Sequence, residues 1–402
     1  MTPGSVMPFS AWQEDQRVRR AIYVLVALEL GLVIGFAAVY QPFDLNIYLW
    51  GGHAVLHGMR LYLVLAHANW FTYPPFAALI FTPLTATPTF IVRMCWELAS
   101  VGAIGWACVN TVKLAGYRPT RILILAMVAA AFLLEPMYHT LYLGQVNLFL
   151  LAVVLADISR VSRGRPAGVG IGIAAAIKLV PAVFIVLLLL TRRTRDAVIA
   201  AATFTCCGAI GYLVDPGASR LYWTRLFDDT RRVSATYISN QSPYAAVTRI
   251  LGGVGHVGGW YVIISLCLGL SGLAIAAVQA ARNDWLGATA VTGTTGLLVS
   301  PISWTHHWVW ILPALVVLLR GGIRARIAAG FTFALFVVAP MWWTPHPGGP
   351  GQFGWHWLAT LIANCFLIAG LAFIAYMTWL TVCWEDADQS DRPAELVVAS
   401  QI

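Results

Sequence analysis

The chain has 402 residues, of which 59% are hydrophobic and only 10% charged, with a formal net charge of +8. That balance cannot close around one soluble core without leaving wide apolar surfaces wet, so it excludes an ordinary soluble domain. The positive charge is not a nucleic-acid signal either, because the arginines sit at the ends of apolar runs, and no nucleic-acid partner is expected.

The length suffices for about a dozen spans of ~20 residues each. The apolar runs lack period-two alternation, which predicts helices and not a barrel. The expected fold is an all-α polytopic membrane protein, one integral catalytic domain over 1–402. Residues 1–20 form a cytoplasmic N-terminal segment in which Arg17, Arg19 and Arg20 precede the first span, 21–40. No small-residue cleavage site follows, so that span reads as a retained helix.

Residues 41–90 form a first outer loop with juxtamembrane helices, in which His53, His57 and Arg60 share one polar face. Within it, 74–87 is short and proline-rich and reads as re-entrant or juxtamembrane. Span 91–112 then runs to Lys113, Arg118 and Arg121, 122–137 returns, and 146–159 reaches Arg160, Arg163 and Arg165. Residues 168–190 read as two half-length helices bent near Lys178 and Pro181, the only clear break in the chain. Further crossings follow at 197–213, 261–281, 286–299, 308–319, 327–342 and 356–383, with a second outer loop at 215–255 and a cytoplasmic tail at 384–402. About twelve crossings result, with every dense basic cluster inside except Arg231 and Arg232.

This topology brings all nine histidines (53, 57, 67, 139, 256, 306, 307, 346 and 356) to or near the outer face. Either polar residues simply avoid the spans, or the outer face carries the chemistry. The seven cysteines fall largely inside apolar runs and read as small packing residues, not as disulfides or a metal site. Gly31 and Gly35, like Gly168, Gly170 and Gly172, predict close helix packing.

Asp44 is the only carboxylate between Pro42 and Tyr73, just beyond the first span, and reads as a general base facing outward. Lys178 is one of two lysines and sits at the helix break in IAAAIKLVPA. A cation there either holds a phosphate or pairs with a carboxylate such as Glu135 or Asp215. His306 and His307 diverge too far along a helix to chelate one metal; they contact substrate or belong to an interfacial aromatic belt with Trp304, Trp308 and Trp310. Gln145 and Asn147 offer amides to sugar hydroxyls or a headgroup, or else cap a helix. Glu29, Glu97 and Glu135 are expected to pair internally and receive no role.

The combination FDLNIY, FTYPPFAAL, GQVNLFLLA, AAAIKLVPAVF and SPISWTHHWVW resembles glycosyltransferase family 87, within the C-type membrane glycosyltransferases, and extends from Asp44 to Trp310. The resemblance implies a C-type fold and a plasma-membrane enzyme. Such an enzyme transfers mannose, with inversion and typically in an α-1,2 linkage, from a polyprenyl-phosphate-mannose donor to a glycolipid acceptor such as a phosphatidylinositol mannoside outside the membrane. It implies Asp44 as catalytic base; for the departing phosphate the residues themselves offer Lys178 and one of His306 or His307, and for sugar or headgroup contacts Tyr73, Gln145, Asn147 and Trp304. The first outer loop lacks an acidic pair, so no required metal and no further cofactor are expected. A retaining mechanism would need a second carboxylate as nucleophile, for which the distant Asp228 and Asp229 are the remaining candidates. Two alternatives share the donor residues: a mannosyl or arabinosyl transferase acting on lipomannan or arabinan, and a lipid-linked sugar transporter, which predicts paired broken helices.

Overall fold

The computed structural model describes residues 11–66, 69–227, 229–345 and 353–390. His67, Asp228, His346, residues 1–10 and the end of the tail at 391–402 lie outside the described residues. Among those described, every regular element is helical, apart from two isolated bridges joining Ala66 to Asn69 and Asn240 to Trp304.

Five helices are long and apolar enough to cross a membrane: Gln16–Val39, Thr89–Leu114, Thr194–Val214, Trp260–Ala281 and Cys365–Cys383. A sixth results if Arg121–Leu133 and Glu135–Leu143, bent by 76°, form one span. The remaining predicted crossings are shorter or broken. Trp285–Val299 is buried along nearly its whole length, and its Gly- and Thr-rich surface lets neighbouring helices approach closely: a Cβ on Gly272 would meet Thr295.

Two breaks build the site. Val169–Ile177 ends at Lys178, which is extended (φ −145°, ψ 126°), and after a 3-10 turn at Val180–Ala182 the chain resumes as Val183–Leu190. This is the break expected near Lys178 and Pro181. The second, at Leu134, runs against the expectation of a single break and of one straight crossing over 122–137: Leu134 is extended, and Pro136 starts a new helix because its ring cannot fit the preceding turn. Glu135–Leu143 ends at Gly144 in the left-handed region (φ 66°), where a Cβ would come within 2.8 Å of the Cβ atoms of Pro42 and Leu45. Glycine there combines the tight turn with close approach to the helix that carries Asp44.

That helix, Phe43–Leu56, confirms a helical start to the loop after the first span but stops before Arg60; His57 caps it, with its ring 4.1 Å from that of His53. Pro75–Ile80 and Thr82–Thr85 are too short to cross a membrane. The segment after Asp215 is not one long loop but short helical pieces, Pro216–Leu221, the π-turn Tyr222–Leu226 and Pro243–Leu251. Residues 305–310 form a 3-10 turn before Ile311–Arg320, so the crossing predicted from 308 begins later. Ile323–Val338 ends earlier than predicted because Pro340 cannot continue it. The last predicted crossing is divided at Asn364 into Trp357–Ala363 and Cys365–Ser390.

Packing corrects other expectations. Gly31 and Gly35 face open space, and the buried face of their helix is Glu29, Val33 and Ala37. Gly168 and Gly172 do meet the backbone of Asp196 and Ala200 closely, as expected of a helix contact. Neither oxygen of Glu29 or Glu97 has a hydrogen-bond partner among the described residues, so internal pairing fails for both. All seven cysteines are free, but only Cys108, Cys207 and Cys365 are buried packing residues.

Candidate active site

Asp44 occupies the first turn of Phe43–Leu56, where the helix N-terminus favours an anion. Asp44 is half-buried and within electrostatic reach of Lys178 and His139, so it faces a shared enclosure and does not project freely into water and headgroups. Burial raises its carboxyl from 3.8 to about 6, against the lowering effects of a Gln145 hydrogen bond and the charges of Lys178 and His139.

Gln145 is held in place from several sides. Its Oε1 accepts from the Tyr48 hydroxyl at 2.8 Å and its Nε2 donates to the Tyr73 hydroxyl at 2.9 Å. The two hydroxyls lie 3.0 Å apart, and the Val146 N–H donates to that of Tyr48. This tyrosine pair joins the Asp44 helix to the turn after Gly144, so Gln145 orients the carboxylate and does not cap a helix.

Lys178 reaches the same enclosure from the helix break. Its Nζ donates to Asn147 Oδ1 at 2.9 Å, lies 2.8 Å from His307 Nε2, and sits 5.8 Å from the Tyr73 ring centre. Neither Glu135 nor Asp215 is its partner: Glu135 binds His139, and Asp215 caps Pro216–Leu221. With Lys178 donating, His307 presents its Nε2 lone pair, and its other nitrogen bonds the backbone at Ile302. Asn147 Nδ2 donates to the His306 carbonyl at 2.8 Å, so this amide too is a bridge and not a cap.

His306 stands with its ring 4.7 Å from His307 and 5.4 Å from His139, and both of its nitrogens are buried without a partner among the described residues. Trp304 lies at the edge, pairing its backbone with Asn240 and its ring with Tyr237. Sequence reasoning gave Tyr48 and His139 no place in the site, while Glu135 pairs internally as expected. His139 Nδ1 contacts Glu135 Oε1 at 2.8 Å and Thr305 Oγ1 at 3.0 Å, and Trp342 Nε1 donates to the same Glu135 oxygen. The i, i+4 spacing of Glu135 and His139 was the available signal. Of the other histidines, His53, His57, His256 and His356 are exposed and outside this cluster. Asp229 lies beside Arg232, and Asp228 is not described.

The enclosure therefore combines a carboxylate poised to take a proton near neutral pH with a lysine-imidazole group suited to an anion. A family model for glycosyltransferase family 87 matches residues 71–301. The chain is similar to a "polyprenol-phosphate-mannose-dependent alpha-(1-2)-phosphatidylinositol pentamannoside mannosyltransferase" of Mycolicibacterium smegmatis, 32% identical over 82% of this chain and 85% of the relative. A protein of the same description from Mycobacterium tuberculosis is 31% identical over 90% of this chain and 88% of the relative. A second from that species, described as a "polyprenol-phosphate-mannose-dependent alpha-(1-2)-phosphatidylinositol mannoside mannosyltransferase", is 31% identical over 84% and 86%. No solved structure matches the chain.

Proposed function

The chain belongs to glycosyltransferase family 87, and from that premise we propose that it is an inverting mannosyltransferase. It moves mannose from polyprenyl-phosphate-mannose to a phosphatidylinositol mannoside, in an α-1,2 linkage, on the extracytoplasmic face of the plasma membrane. The donor and acceptor classes follow the descriptions of the relatives. The observation that carries the reading is the convergence of Asp44 with the Lys178–His307 pair in one enclosure, joined through Gln145, Tyr73 and Asn147.

In the proposed displacement, Asp44 takes the proton of the acceptor hydroxyl as its oxygen bonds to the anomeric carbon. The bond from that carbon to the phosphate oxygen breaks with its electron pair, and polyprenyl phosphate leaves with one more negative charge than it carried in the donor. Groups that hold this charge more tightly in the transition state lower the barrier. Lys178 fits, because two of its three donors meet Asn147 and His307, leaving the third for phosphate. His306, with two unmet ring nitrogens, adds a donor on the same side. Tyr73, Gln145 and Trp304 border the sugar and headgroup, and the reaction as written needs no metal ion.

We further assign a C-type fold with about twelve crossings, counting short and broken helices, and cytoplasmic termini; the basic clusters at helix ends support this orientation. The transporter alternative loses its ground because the family is one of glycosyltransferases. The test is purified protein with labelled polyprenyl-phosphate-mannose and a phosphatidylinositol mannoside. The reading predicts a mannosylated lipid whose new linkage is α-1,2; transfer only to arabinan or lipomannan, or no transfer, refutes it. Lys178→Ala is expected to weaken donor binding at least tenfold, the cost of about 1.4 kcal/mol, as followed by retention of labelled donor.

A further inference from the structure

Away from Asp44, a cavity of about 1230 Å³ opens among Trp260–Ala281, Trp285–Val299, Ile311–Arg320, Ile323–Val338 and Cys365–Ser390. It exceeds the roughly 1,000 Å³ upper size of pockets for small ligands. Its wall is mainly apolar, from Trp308 and Phe336 down past Ala372 and Leu380. One end reaches Trp308, next to His307; the other lies at the far end of Ile311–Arg320, where three arginines, Arg282, Arg320 and Arg324, meet a single acid among the described lining residues, Asp284.

That rim is partly assembled. Asp284 accepts from the Gly287 N–H at 3.1 Å and from Arg320 Nη2 at 2.8 Å, which fixes the guanidinium at the cavity mouth. Arg320 Nε nevertheless remains buried without a partner among the described residues. Arg282 is steadied by donating to the Thr381 carbonyl at 3.0 Å, and Arg324 is exposed. A buried guanidinium N–H without an acceptor, beside two further cations and above an apolar shaft, matches an anion that carries hydrocarbon.

We propose that this cavity binds one anionic diacyl phospholipid, its phosphate against Arg320, Arg324 and Arg282 and its acyl chains in the shaft that leads to Trp308. The headgroup supplies the missing acceptor for Arg320 Nε, and the chains fill space that the helices leave open. The lipid is distinct from the donor, whose phosphate belongs at Lys178 and His307 in the reading above.

The full chain, purified in mild detergent and exchanged into vesicles of phosphatidylcholine containing a minor fraction of phosphatidylglycerol, is re-extracted and its bound lipid identified by native mass spectrometry. One phosphatidylglycerol per chain, enriched over the vesicle composition, is expected. Arg324→Gln should lower retention about fivefold, the contribution of about one basic residue at an anionic surface, and Ala372→Trp, which fills the shaft and leaves the rim intact, should lower it as well. Arg118→Gln, at another exposed basic site outside the cavity, should not. Retention of phosphatidylcholine alone, enrichment of added polyprenyl phosphate instead, or equal phosphatidylglycerol retention by all three variants would overturn the proposal.

Discussion

Burial and neighbouring charge pull the Asp44 carboxyl in opposite directions. Burial dominates and sets it at about 6, while Gln145, Lys178 and His139 keep it from rising further. Because its base form is lost as pH falls through that value, kcat/KM is expected to be level above it and to fall on an acid limb near pH 6. Gln145→Leu removes the strongest of the lowering interactions, so the limb should move to higher pH and the rate at pH 7 should drop; an unmoved limb contradicts the assignment. The same value has a consequence for stability. Since the folded value lies above the ordinary 3.8, the folded chain binds this proton more tightly, and stability rises as pH falls from above 6 toward 4. Asp44→Asn should therefore melt no lower than the parent at pH 7, as thermal denaturation in detergent would show.

The site exists because two apolar helices are interrupted. Unwinding at Lys178 frees its side chain to cross to Asn147 and His307, and the bend before Pro136 carries His139, Gly144 and Gln145 over the Asp44 helix. The hinge of this arrangement is Gly144. Gly144→Ala meets both a left-handed backbone and Cβ atoms 2.8 Å away, and is expected to cost about 1–3 kcal/mol. It should depress transfer by displacing Gln145, and a variant with the parent's melting temperature and rate would show that the close approach is dispensable. The first interruption was legible in the sequence, because a lysine and a proline inside an apolar run leave no other reading. The second was not: Leu134 looks like any core leucine, and Pro136 fits equally well at the end of a crossing. His139 was hidden for the same reason, since only the bend turns its i, i+4 pair with Glu135 toward His306.

Across the whole molecule, hydropathy identified four of the five long helices to within about five residues, since each must present apolar surface along a full span, while the fifth begins nine residues later than expected because the chain breaks at Asn364. Trp285–Val299 and Ile311–Arg320 are shorter, being covered by other helices and not by lipid alone. Asp44, Lys178, His307, Gln145, Asn147 and Tyr73, separated by as much as 263 positions from Asp44 to His307, were each visible as polar groups beside apolar runs. Their convergence was not, because it depends on helix packing that no local pattern encodes. The tyrosine pair that clamps Gln145 was equally invisible, as Tyr48 reads from sequence as one more interfacial aromatic.

Single-turnover transfer by Asp44→Asn, with labelled donor binding measured on the same sample, tests the central claim most directly. The substitution keeps the side chain's shape and its reach to Gln145 while removing the proton acceptor. The account predicts a loss of about 10²–10⁴-fold in the transfer rate with donor binding retained. Turnover close to that of the parent would contradict it.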